Sequence, residues 1–128
     1  LRRAGFRLQA FDGGGRDRAQ QGTGVTVIRV QEAASRRLDE VYRYTLEQFG
    51  AAQAERYIEG LFEAFSKIAA HGVVSRPVPA DFGVDGFSFR YESHVVYWRR
   101  LANGDIGIVT ILHTRMHQID RFREDFGL

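Results

Sequence analysis

The chain predicts an α+β fold of two layers, β-α-α-β-β-β(-α), with a helical hairpin packed on a mainly antiparallel sheet. Three observations carry that expectation. The apolar period changes from two to about 3.6 after Val30. Two amphipathic stretches then follow with only a few residues between them, around Gly50. Beyond Pro79 the chain turns to aromatic and β-branched runs, the last two separated by the pair Asn103-Gly104.

Residues 25–30 read as the first strand. From Ala34 to Phe49 the positions Leu38, Val41, Tyr42, Thr45 and Phe49 share one helical face, and Gly50 stops this helix as glycine does at C′. Ala54, Tyr57, Ile58, Leu61, Phe62, Phe65, Ile68 and Ala69 form the broadest apolar stripe, which Gly72 ends. Helices joined this closely lie antiparallel. Pro77 and Pro79 are expected to bar regular structure between Ser75 and Asp81, because neither donates to a ladder and each restricts its predecessor. Residues 86–91, 94–101 and 105–112 read as strands, with Glu92-Ser93 linking the first two. Asn103-Gly104 predicts a two-residue hairpin turn with positive φ. A short helix, Gln118 to Phe126, closes the chain with Ile119, Phe122 and Phe126 on one face.

Composition bounds the function. A chain of 128 residues with 44% hydrophobic positions buries enough surface to fold without a metal or disulfide staple. It has no cysteine, which excludes disulfide frameworks, thiolate zinc sites, iron–sulfur clusters and cysteine nucleophiles. No apolar run approaches the ~20 residues that cross a bilayer, so no membrane association is expected and the expected compartment is the cytoplasm. The formal charge of +2 is unevenly placed. Residues 1–22 carry Arg2, Arg3, Arg7, Arg16 and Arg18 against Asp12 and Asp17, and three consecutive glycines from Gly13. They are read as a flexible basic tail, and residues 23–128 as one domain. That domain holds thirteen basic and fourteen acidic side chains, a net −1. Leu1 is not an initiator methionine, so the chain is expected to be a fragment, a processed product or a reading frame extended upstream. Val25 stands where a GTG start codon would read as valine.

The run His94-Val95-Val96-Tyr97-Trp98-Arg99, followed after a turn by Ile111-Leu112-His113-Thr114-Arg115-Met116, resembles the RelE/ParE toxin superfamily, its ParE branch most closely. Leu38-Asp39-Glu40-Val41-Tyr42, Phe49-Gly50, Gln53-Ala54, Tyr57 and Leu61 are similar to the family's helical region. The resemblance implies the toxin of a type II toxin–antitoxin pair, neutralised by a cognate, ParD-like antitoxin. ParE-like members are associated with poisoning DNA gyrase, a binding activity without cofactor or metal; RelE-like members cut messenger RNA on the ribosome. A fold shared by both cannot choose between them.

An RNA-cutting site needs a proton acceptor, cations for the phosphate and an acid for the leaving oxygen. Lys67 is the only lysine, no tyrosine follows Tyr97, and the near-neutral domain lacks the positive footprint of a protein that grips a nucleic-acid backbone. No direct nucleic-acid binding is therefore expected of it. His113, Arg115 and His117, two residues apart, still make a chemically adequate set if they share a strand face, with Arg90 as a second cation. His94 reads as structural, and His113 leans the same way. Arg76, Arg90, Arg115, Met116 and His117 are the candidates for contact with the target. Three readings stand, in order: a gyrase inhibitor, a ribosome-dependent endoribonuclease, and an inactive member that only binds its antitoxin.

Overall fold

A computed structural model describes residues 26–128, so the tail expected at 1–22 and the start expected at Val25 lie outside the described residues. The elements are β1 (Ile28–Val30), α1 (Glu32–Phe49), α2 (Ala51–Ile68), β2 (Arg76–Pro77), a 3₁₀ turn (Ala80–Phe82), β3 (Phe87–Tyr91), β4 (His94–Arg100), β5 (Ile106–His113) and α3 (Gln118–Phe126). They form one sheet in the order β1-β5-β4-β3-β2, antiparallel throughout except where β1 runs parallel to β5. The α+β class and the helical hairpin are those the sequence predicts.

Gly50 joins the two 18-residue helices by itself. Its N–H donates to Leu46 O (3.0 Å), closing α1, and its carbonyl accepts from Ala54 N (3.1 Å), opening α2. Its φ of 91° is a conformation that glycine alone adopts cheaply. From this turn α1 lays Ala34, Leu38, Val41, Tyr42 and Thr45 on the sheet, and α2 lays Ala54, Ile58, Leu61, Phe62, Ala64, Phe65 and Ile68. They meet Val30, Phe89, Val96, Trp98, Ile106, Ile108 and Ile111 from the strands. Each large apolar side chain buried there contributes about 1.5–3 kcal/mol. Phe49 departs from the expected face: at the last residue of α1 it has passed the sheet and is 67% exposed.

Two local expectations are corrected. Pro77 does enter the sheet. Val78 N–H donates to Gly86 O (2.9 Å), so strand alternation makes Pro77 and Phe87 a non-hydrogen-bonded pair, where a missing N–H costs nothing. The β4–β5 turn is not a two-residue one. Leu101 N–H donates to Asp105 O (2.7 Å) and Gly104 N–H to Leu101 O (2.9 Å), which encloses three residues with Gly104 alone at positive φ. Asp105 then ties this turn to β1, accepting from Val27 N–H (3.3 Å), Arg29 Nε (3.2 Å) and Asn103 Nδ2 (2.9 Å).

A bulge in β5 changes which side its residues face. Tyr97 pairs with Thr110 but Trp98 pairs with Ile108, leaving Val109 without a partner. Ile106 and Ile108 point to the helical hairpin; beyond the bulge Ile111 and His113 do so, while Thr110 and Leu112 face the back. On that back face α3 and the 3₁₀ turn build a second, smaller core of Phe82, Tyr97, Val109, Leu112 and Phe122.

Gly60, inside α2, sits against the Tyr91 hydroxyl, and a methyl group there would collide with it. Gly60→Ala would gain about 1 kcal/mol of helix propensity. Displacing Tyr91 from its edge-on contact with Tyr57 (5.3 Å) costs about 1–3 kcal/mol. A net loss on the order of 1 kcal/mol is expected, opposite in sign to the same change at an open helical glycine, and urea unfolding reads it.

Candidate functional site

Two regions gather the residues singled out by sequence. At one end of the sheet, His94 and His113 are directly opposed across β4 and β5, with ring centroids 5.1 Å apart. His94 is buried, and its Nδ1 lies 2.7 Å from the Tyr57 hydroxyl of α2. Burial, with a smaller contribution from His113, lowers its pKa to about 4. Burial likewise pushes the Tyr57 hydroxyl up to about 12. His94 thus acts as a packed, neutral side chain that links α2 to the sheet.

The folded pKa of His94 lies below the ordinary value of about 6.5, so the unfolded chain binds the proton more readily. The resulting stability is complete above about pH 6.5 and is lost as pH falls toward 4. Between pH 7 and 4 the protein is expected to lose about 2–3 kcal/mol more unfolding free energy than its His94→Gln variant does. Equal losses in denaturant titrations at the two pH values would refute this role.

The expected alternation of His113, Arg115 and His117 ends at His113, where β5 stops. Residues 114–116 form a turn in which Met116 N–H donates to His113 O (2.9 Å) and Arg115 N–H to His113 Nδ1 (3.0 Å). His117 caps the start of α3, 71% exposed, with Nδ1 2.9 Å from Asp120 Oδ2. The three side chains therefore do not line one strand face. Arg90 is set apart from them: it pairs with Val95 on the back of the sheet, with β4 standing between β3 and β5, and its Nε donates to Glu92 O (2.8 Å). Among the described residues no three His, Asp or Glu side chains stand close enough to hold a metal ion.

The second region is a groove of about 800 Å³ between α2 and β3. Gly60, Glu63, Ala64 and Lys67 form one wall, Val73, Val74 and Arg76 the rim, and Ser88, Arg90 and Tyr91 the other wall. It brings together two of the expected target-contact residues, Arg76 and Arg90; Arg115, Met116 and His117 lie at the other location. Lys67, which sequence reasoning left as an isolated lysine in a helix, is the third cation here. Positions 67, 76 and 90 belong to three different elements, so no spacing rule could group them.

A third cluster fixes α3. The Asp125 side chain, only 3% exposed, accepts from Arg37 Nε (2.8 Å) and Nη2 (3.1 Å), Arg36 Nη2 (3.2 Å) and the Thr110 hydroxyl (2.7 Å). Burial pulls its carboxyl pKa upward. The Arg37 and Thr110 hydrogen bonds and the charges of Arg37 and Arg36 outweigh that and hold it below the usual range. The clasp makes α3 part of the fold.

The sequence pattern of this fold matches a known family across most of the chain. The profile described as "ParE toxin of type II toxin-antitoxin system, parDE" covers residues 28–118, from β1 to the start of α3. Toxin ParE1 of Mycobacterium tuberculosis, found in two strains, is 32% identical over 90 residues, which is 70% of this chain and 89% of that protein. No described helix is long and apolar enough to cross a membrane. The chain belongs to the ParE toxin family of type II toxin–antitoxin systems.

Proposed function

We propose that this toxin arrests growth in the cytoplasm by binding and poisoning DNA gyrase, and that a cognate ParD-like antitoxin neutralises it. The observation that supports binding over RNA cleavage is the dispersal of the acid–base candidates. A general acid and base must both come within hydrogen-bond reach of one scissile phosphate. Here the Nδ1 of His113 already accepts a backbone N–H, His117 is turned to Asp120 in the solvent, and Arg90 stands on the back of the sheet two strands away. The net −1 of residues 23–128 points the same way.

Purified full-length toxin is expected to inhibit gyrase supercoiling or to accumulate gyrase-dependent DNA breaks. His113→Ala with His117→Ala is expected to leave growth arrest within about twofold, whereas loss of an acid–base pair costs about 10²- to 10⁴-fold. Cleaved message in a translating extract, with supercoiling untouched, would establish the endoribonuclease reading in its place. Absence of growth arrest on induction would instead identify an inactive, antitoxin-binding member.

A further inference from the structure

The Asn103-Gly104 pair at the β4–β5 turn has a reactivity of its own, separate from any target binding. Asn103 is the only asparagine in the chain, and glycine follows it. In that order the backbone nitrogen of the second residue can close on the side-chain amide carbon of the first, and a glycine there has no Cβ to obstruct the approach. Both residues are exposed, so water reaches the turn.

The folded turn holds this reaction back. The nitrogen that would attack, Gly104 N, donates its N–H to Leu101 O (2.9 Å). The amide that would be attacked is clamped at both ends by Asp105: Asn103 Oδ1 accepts from the Asp105 N–H (2.9 Å), and Asn103 Nδ2 donates to Asp105 Oδ2 (2.9 Å). Ring closure needs the side chain to swing onto Gly104 N, which breaks these bonds, so only an opened turn reacts.

The same contacts make the product incompatible with the turn. Asp105 is buried, and its carboxylate also serves Val27 N–H (3.3 Å) and Arg29 Nε (3.2 Å) at β1. With a carboxylate at position 103, the donor to Asp105 Oδ2 is replaced by a second negative oxygen, and two carboxylates that close cannot both stay ionised in place. An isoaspartyl link instead adds a backbone carbon inside a turn that Leu101 N–H closes on Asp105 O (2.7 Å) over three residues. Either product weakens the tie between this turn and β1.

We propose that Asn103 is a modification site, converted without an enzyme to an aspartyl or isoaspartyl residue when the β4–β5 turn opens, and that the conversion blocks reclosure and loosens β1 on β5. The Gly104 nitrogen loses its proton to solvent and adds to Asn103 Cγ; the Cγ–Nδ2 bond breaks, and Nδ2 takes up a proton and leaves as ammonia. Water then adds to one of the two carbonyls of the resulting succinimide, and ring opening gives the normal or the β-linked carboxylate. Nothing is oxidised or reduced, and water is the only co-reactant. The site records openings of one turn and depends neither on a partner nor on the gyrase reading.

The full chain and a peptide of residues 100–107, aged side by side in mildly alkaline buffer, test it. Mass spectrometry of the fragment holding position 103 follows the gain of amide-to-acid conversion. Conversion in the folded chain is expected to be about ten- to a hundredfold slower than in the peptide, the protection given by a turn held by a few hydrogen bonds. Anion exchange then isolates the converted chains, which carry one more negative charge. Their Gln31 and Ile106 amides, which pair β1 with β5, are expected to exchange hydrogen at least about tenfold faster than in unconverted chains, with the amides of α2 little changed. Asn103→Asp should show the same acceleration without ageing, and if that variant loses its native spectrum the aged chain decides alone. Conversion rates within about tenfold of each other, or more than about a hundredfold apart, would overturn the proposal. So would exchange at Gln31 and Ile106 that rises by less than about tenfold, or that rises equally in α2.

Discussion

Asp125→Ala is expected to lower the unfolding free energy by about 3 kcal/mol, because it strands buried partners rather than merely deleting a contact. The Arg37 side chain is 13% exposed and Thr110 is fully buried, and Asp125 is their shared acceptor. Arg37 keeps its bond to Glu40 (3.0 Å), which holds the loss toward the lower end of the range for a broken buried pair. Asp125→Asn, which keeps the shape and one acceptor oxygen, should cost about half as much. The carboxyl is held below its ordinary pKa, so the stability it adds is present above about pH 4 and is lost as pH falls through the folded value. Urea unfolding at pH 7 with an unchanged m-value would register the loss. A change under about 1 kcal/mol would show that the clasp is a surface pair in effect.

Phe122→Ala is expected to cost more, about 3–5 kcal/mol. Phe122 is the centre of the back-face core: it meets Phe82 edge-on (5.2 Å), tilts against Tyr97 (5.0 Å) and stacks on Phe126 (5.7 Å). With the ring removed, the helix that carries it is left with the Asp125 clasp, the partly buried Ile119 and Phe126, the latter under the Arg99 guanidinium (5.0 Å), and hydrogen bonds from Tyr97 to Gln118 (2.8 Å) and from Gln118 to His113 O (2.8 Å). The two losses should not add. Once either anchor frees α3, the other has less to hold, so the double variant is expected to fall short of the sum by about 1 kcal/mol or more. Simple additivity would mean that the two anchors hold α3 independently.

Much of the fold was legible because it is written in local periods. The stripes of α1 and α2 and the limits of α3 follow from apolar spacing alone. What escaped is non-local or too short to have a period. β2 is two residues long, and its proline is tolerated for a reason that depends on which pairs of the ladder are hydrogen-bonded. The bulge at Val109 is invisible in a strand buried on both faces, where nearly every residue is apolar and no alternation shows a skipped step. That bulge, with the turn after it, is why histidines spaced by two in sequence do not form one face. The same holds for the site. His94 was legible as structural from its place at a strand start, but the groove of Lys67, Arg76 and Arg90 exists only because α2 and β3 are brought side by side.

The single-residue junction at Gly50 also orders assembly in time. Two helices that meet through one residue touch at short sequence separation, so their association closes almost no loop, whereas β1 must find β5 across 78 residues, as in the pair Ile28 and Ile106. Loop-closure entropy places such distant pairing late. The helical hairpin is thus expected to be largely formed at the rate-limiting barrier, and β1 to dock after it. Substitutions at Ile28 and Val30 should accordingly speed unfolding while leaving the refolding rate nearly unchanged.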